Sequence, residues 1–160
     1  MKLHKIISVL IIAVWALAAC TASFDTPAPV SDFRAAAQYT FGDYSFPCEI
    51  QLESGTVFVT PTATAAADTV LSCDGNTVTF ARGEMVQQHP CEALDVTNPA
   101  RLLWSVFDSV TGTAATPVQQ ESLTVYSGQC AAGAFSLSRN RDGSWNTLSV
   151  PEAGITVIFD

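Results

Sequence analysis

Beyond residue 20 the chain holds one histidine, His89, four cysteines (Cys48, Cys73, Cys91 and Cys130) and all fifteen of its carboxylate side chains. His89 is the only one of these with an unperturbed pKa near neutrality, so a Ser-His-Asp or Cys-His scheme would have to pass through it. No GxSxG elbow is present, and His89-Pro90 stands in a connection beside Cys91, so nucleophilic catalysis has no support. Glu49 with Glu53, or Glu92 with Asp95, are the nearest carboxylate pairs for a glycosidase acid and base. On one strand, Glu49 and Glu53 would share a polar side where water screens both.

Metal chemistry is equally thin. No CxxC pair occurs and the single histidine lies two residues from Cys91, which disfavours zinc. Asn140-Arg141-Asp142-Gly143-Ser144 has the alternating oxygens that open a calcium loop, but the distal bidentate Glu is missing and Arg141 intrudes. A hairpin turn accounts for Asp142-Gly143. No catalytic residue, cofactor or metal ligand is assigned. For binding, Tyr126 is out of step with Leu123 and Val125, and Trp145 with Leu148 and Val150. Alternation turns both toward solvent unless bulges intervene, and there they could stack on a sugar ring or meet an apolar partner, but packing beneath the helix or the tether is favoured. Trp104, at the margin of a helical stripe, is placed in the core.

The first twenty residues give the address. Lys2 and Lys5 precede an apolar run from Ile6 to Leu17, and Leu17-Ala18-Ala19-Cys20 follows. A helix of about twelve residues is roughly 18 Å long, short of the ~30 Å hydrocarbon core, so the run reads as an export signal and not a span. The terminal four residues resemble the lipobox of bacterial lipoprotein signal peptides. The resemblance implies cleavage before Cys20, a diacylglyceryl thioether on that residue and a further acyl chain on its amine. At roughly 0.8 kcal/mol per buried methylene, two or three chains anchor essentially permanently. Thr21, being other than Asp, implies sorting to the outer membrane, facing the periplasm.

With Cys20 assigned to lipid, Cys48, Cys73, Cys91 and Cys130 make an even set in an oxidising compartment, and two disulfides are expected. Four cysteines allow three pairings, and the sequence alone does not choose among them. Cys48 with Cys73 and Cys91 with Cys130 is favoured because each closes a moderate loop, worth roughly 3 to 4 kcal/mol. The 141 residues from Cys20 onward suit one domain and a linker. They carry five arginines, no lysine and fifteen carboxylates, a formal charge of −10. That argues against nucleic acid and anionic headgroups as partners.

The elements follow from periodicity. Residues 20–43 read as a Pro-, Ala- and Ser-rich tether with a short helix over Phe33–Gln38. Residues 44–160 read as a single β-rich domain. Tyr44 to Leu52 alternates cleanly, with Pro47 suggesting an edge or bulge. Ser54-Gly55, Asp74-Gly75 and Asp142-Gly143 mark hairpin turns. Glu84 to Val96 reads as a long connection. Asn98 as cap, Pro99 at the first position and the stripe Leu102, Leu103, Val106, Phe107, Val110 predict a helix ended by Gly112. The expected fold is mainly β, an antiparallel sandwich or partly open barrel of about eight strands with one helix. The expected role is a periplasm-facing binding or assembly-accessory domain, its partner an envelope protein. The alternative is an envelope glycan-binding module or glycan hydrolase.

Overall fold

Alternation of apolar and polar side chains continues through most of the chain after Ser31, and it builds eleven antiparallel strands. In this computed structural model residues 30–63, 65–112 and 114–160 are described. The expected signal peptide (1–19), Cys20 and the first part of the expected tether, to residue 29, lie outside them. The strands are β1 (Phe33–Phe41), β2 (Tyr44–Glu53), β3 (Thr56–Pro61), β4 (Thr69–Cys73), β5 (Thr77–Arg82), β6 (Met85–Pro90), β7 (Thr116–Gln120), β8 (Leu123–Cys130), β9 (Gly133–Asn140), β10 (Trp145–Val150) and β11 (Ile155–Phe159). Among the described residues one α-helix, α1 (Pro99–Thr111), joins β6 to β7.

All eleven strands form one sheet in the order β6-β5-β4-β3-β2-β1-β11-β10-β9-β8-β7. A meander of six strands and a meander of five thus meet where β1 pairs with β11. The register there runs from Ala37 opposite Phe159 to Phe41 opposite Ile155. The helix packs against β3 and β4 on one side and β8 on the other. In a flat sheet β4 and β8 would stand about 33 Å apart, at roughly 4.8 Å per strand, whereas a helix is about 10 to 12 Å thick. The sheet therefore curls around α1, and the outcome is a single open, strongly curved sheet with a helix in its hollow.

The hollow is the core. Ile50, Val57, Leu137, Leu148 and Val157 point inward from the strands to meet Leu103 and Phe107 of the helix. Phe33, Phe107 and Trp145 cluster edge to face or tilted, with ring centroids 5.2 to 6.1 Å apart. The helix forms as its sequence dictates: Asn98 Oδ1 accepts the Arg101 N–H at 3.2 Å, and the Gly112 N–H donates to the Asp108 carbonyl at 2.7 Å. Trp104 Nε1 donates to the Gly55 carbonyl at 3.2 Å, tying the helix to the β2–β3 turn. Its indole also lies across the β4–β5 turn, where Gly75 has φ +96° and a Cβ would stand 2.2 Å from Trp104 Cζ2. Only glycine leaves room there.

Several expectations are corrected. The segment Phe33–Gln38 is not a helix but most of β1, so the domain begins by Phe33 and not at Tyr44. Its three alanines favour helix only weakly, and pairing on both flanks overrides that preference. Met85–Pro90, expected within a connection, is the edge strand β6, and β7 adds the opposite edge beyond the expected loop. Pro47 lies in a central strand. It is tolerated there because the β2–β3 ladder ends at Cys48 opposite Pro61, and the Pro47 carbonyl still accepts the Thr62 N–H.

Candidate functional site

The tip of the β1–β2 hairpin carries four aromatic rings. Tyr39 lies opposite Phe46 and Phe41 opposite Tyr44 in the ladder, so all four side chains share one face of the sheet. Tyr39 and Phe46 stack with centroids 5.3 Å apart. Facing them is the segment that leads from β6 into the helix, contributing Leu94, Asp95, Thr97, Asn98 and Pro99. Between the two walls is a cleft of about 390 Å³. Phe41 and Tyr44 are 43% and 79% exposed at its lip.

The second wall is pinned by its own polar groups. Asp95 Oδ1 accepts both the Thr97 hydroxyl at 2.6 Å and the Thr97 N–H at 2.8 Å. Those two bonds, with Arg101 adding a weaker pull, hold the Asp95 carboxyl below its ordinary value. The Arg101 guanidinium donates to the Leu94 carbonyl, and the Asn98 N–H donates to the Asp95 carbonyl at 3.1 Å. Asp95 Oδ1 and Asn98 Oδ1 are therefore occupied by the wall itself. On the floor, the Tyr39 hydroxyl is buried without a hydrogen-bond partner. Burial, with Cys48 nearby, pushes its phenol above the ordinary range. Burial likewise pushes the Cys48 thiol up to about 11, against a backbone hydrogen bond from Tyr39. Both groups stay neutral at physiological pH.

A smaller cleft of about 220 Å³ lies at the other end of the helix, bordered by Val30, Asp32, Trp104, Phe107 and Asp108. Asp32 Oδ1 accepts the Ser54 N–H at 3.0 Å, a turn-fixing contact. The described chain begins here. β1 then runs eight residues from Phe33, beside Phe107, to Phe41 at the aromatic cleft, a distance of roughly 26 Å at about 3.3 Å per residue.

The residues singled out from sequence fall elsewhere. Tyr126 and Trp145 are 4% and 6% exposed, so both pack inside and neither offers a solvent-facing platform for a ligand. A bulge between Trp145 and Thr147 shifts the β10 register and turns the indole inward. There it meets Tyr126 at 6.0 Å and lies under the Arg139 guanidinium at 5.1 Å. Tyr126 faces the core because Leu123 and Val125 take the half-exposed side of β8. His89 sits exposed on edge strand β6 with its ring against Phe80. Glu49 pairs with Arg34 at 2.7 Å and Glu53 accepts from Gln51, both on the outer face. Asp142 Oδ1 accepts the Ser144 N–H and hydroxyl, closing a hairpin turn. Among the described residues no three His, Cys, Asp or Glu side chains gather as a metal-binding group.

The favoured cysteine pairing is also corrected. Cys73 and Cys91 lie with sulfurs 3.5 Å apart. Cys48 is two strands and several residues from Cys73, the β3 partners being Pro61 and Val57 respectively. Cys130 lies in the other meander, its thiol donating to the Gly133 carbonyl at 3.3 Å. No protein-family model and no characterised protein matches this chain. The aromatic cleft was missed because Phe41 fell within residues 20–43, read as tether and short helix. Reading residues 39–46 as a hairpin about Gly42-Asp43 puts all four rings on one face.

Proposed function

We propose that this chain is a bacterial cell-envelope lipoprotein, anchored through Cys20 and facing the periplasm, whose β domain works by binding. Its site is the aromatic cleft, and its occupant is an apolar side chain presented by an envelope protein. The observation that carries the reading is the pair Phe41 and Tyr44, held at the lip of a preformed apolar cleft although folding leaves them exposed. Exposed rings around a concave apolar floor are what binding sites use as anchors. An apolar protein side chain suits the cleft because most of its lining is apolar or aromatic carbon, from Tyr39, Phe41, Tyr44, Phe46, Leu94 and Pro99. The first described residue, Val30, borders the smaller cleft and not this one. Tyr44 alone, with its bare ring, keeps glycan stacking as the second reading.

Two outcomes test this. Cys20→Ser should release the protein from the membrane fraction as an unlipidated species, and continued membrane retention would refute the anchor. Phe41→Ala with Tyr44→Ala should leave the melting temperature within a few degrees, since neither ring is in the core. Capture of the partner by photo-crosslinking in cells should meanwhile fall about tenfold or more, as for the loss of interface anchors. Undiminished capture would remove the cleft from the binding role. Retention on purified cell-wall glycan that the same substitutions abolish would favour the sugar reading.

A further inference from the structure

We propose that Cys73 and Cys91 form a disulfide in the exported protein and that this bond clamps the Leu94-to-Pro99 wall of the aromatic cleft to the sheet. The inference rests on the lipoprotein reading for its compartment and on the cleft for its consequence. Cys73 ends β4, paired with Val57 and Val78 on its two sides and 0% exposed. Cys91 follows β6 directly and is 9% exposed. Its N–H donates to the Asn76 carbonyl at 2.8 Å, which brings it over the β4–β5 turn. The 3.5 Å between their sulfurs exceeds a disulfide by only about 1.5 Å, a small adjustment of side chains already facing each other. The sheet keeps Cys48 and Cys130 away from both.

Position gives the bond its effect. Cys91 opens the segment whose Leu94, Asp95, Thr97 and Asn98 form one wall of the cleft. Toward β6 that segment is preceded by an edge strand paired on one side only. A covalent link from Cys91 to β4, which is paired on both sides, adds a fixed point at the β6 end of the wall. Oxidation requires an electron acceptor, and the class that fits is a disulfide-bearing thiol oxidoreductase of the envelope. The more accessible Cys91 attacks one sulfur of that disulfide as thiolate, forming a mixed disulfide and releasing one thiol. Cys73 then displaces the second sulfur, giving Cys73–Cys91. The two thiol protons end on the two released thiols, and the oxidoreductase takes both electrons.

The test uses full-length protein extracted from membranes with thiols trapped by alkylation, and the same protein equilibrated in a glutathione–glutathione disulfide buffer. Peptide mapping should recover Cys73 joined to Cys91 in both, with Cys48 and Cys130 alkylated. Amide hydrogen exchange over residues 92–98 should become several-fold faster on reduction, while β9 and β10 are unchanged. Four alkylated cysteines in both samples, or a link through Cys48 or Cys130, would overturn the pairing. A link that forms in the buffer but is missing from cells would overturn the exported disulfide through its compartment, and so would count against the lipoprotein reading. Unchanged exchange over 92–98 would overturn the clamp.

Discussion

Removing residues 155–160 is expected to leave no folded domain. These residues carry β11, and although it is the final stretch of the chain it is not a sheet edge. It lies between β1 and β10, with Gln38 opposite Ile158 on one side and Leu148 opposite Val157 on the other. Its loss breaks two ladders and parts the two meanders at their seam in the sheet. It also strips Ile155, Val157 and Phe159 from the core. Burying each such side chain contributes about 1.5 to 3 kcal/mol, so their sum alone approaches the roughly 5 to 15 kcal/mol by which domains are stable. Far-ultraviolet circular dichroism and limited proteolysis of the truncated chain would check this. A cooperative thermal transition near that of the intact protein would mean that the six-strand meander and helix hold together without the seam.

The central place of β11 shows where sequence stops short of architecture. Ile155-Thr156-Val157-Ile158-Phe159 announces a strand through its β-branched alternation, but pairing partners more than a hundred residues away leave no local trace. Local chemistry was legible: Asn98, Pro99 and Gly112 bound the helix, and Asp74-Gly75 and Asp142-Gly143 turn where expected. The errors came where a long-range term competed with a local one. Residues 33–38 follow an alanine-rich helical preference only until two neighbouring strands are available. β6 and β7 are edge strands with no buried residue, so neither carries the hydrophobic signal by which strands are recognised. Trp145 misleads because one bulge inverts its side, and bulges have no sequence signature in a Ser/Asn/Thr strand. The cleft inherits these errors, since one wall depends on β1 and the other on the segment after β6.

Phe107→Ala is expected to cost about 3 to 5 kcal/mol, as for other buried phenylalanines replaced by alanine, and to lower the melting temperature by roughly 10 °C or more. The ring is buried in the hollow, with Phe33 of β1 at 5.2 Å and Trp145 of β10 at 5.5 Å. Those strands flank β11 on its two sides, so a single side chain of the helix bridges both meanders. The curl of the sheet leaves little room for collapse, because the ladders fix the strand positions around the void. Asp108→Ala, one residue on, serves as the comparison and should change stability by no more than about 0.5 kcal/mol. A Phe107→Ala melt within two or three degrees of the parent would show that the helix is not the plug of the fold. The same variant also separates stability from recognition. Phe107 borders the small cleft beside Val30 and Phe41 with Tyr44 the large one, some 26 Å along β1 by the rise of about 3.3 Å per residue. Below its lowered melting point, Phe107→Ala should still capture the partner, whereas the two lip substitutions should lose capture and keep the parent's stability. If both sets of variants lost capture in proportion to their loss of stability, the rings at the lip would belong to the fold and the binding site would have to be sought on the outer face of the sheet.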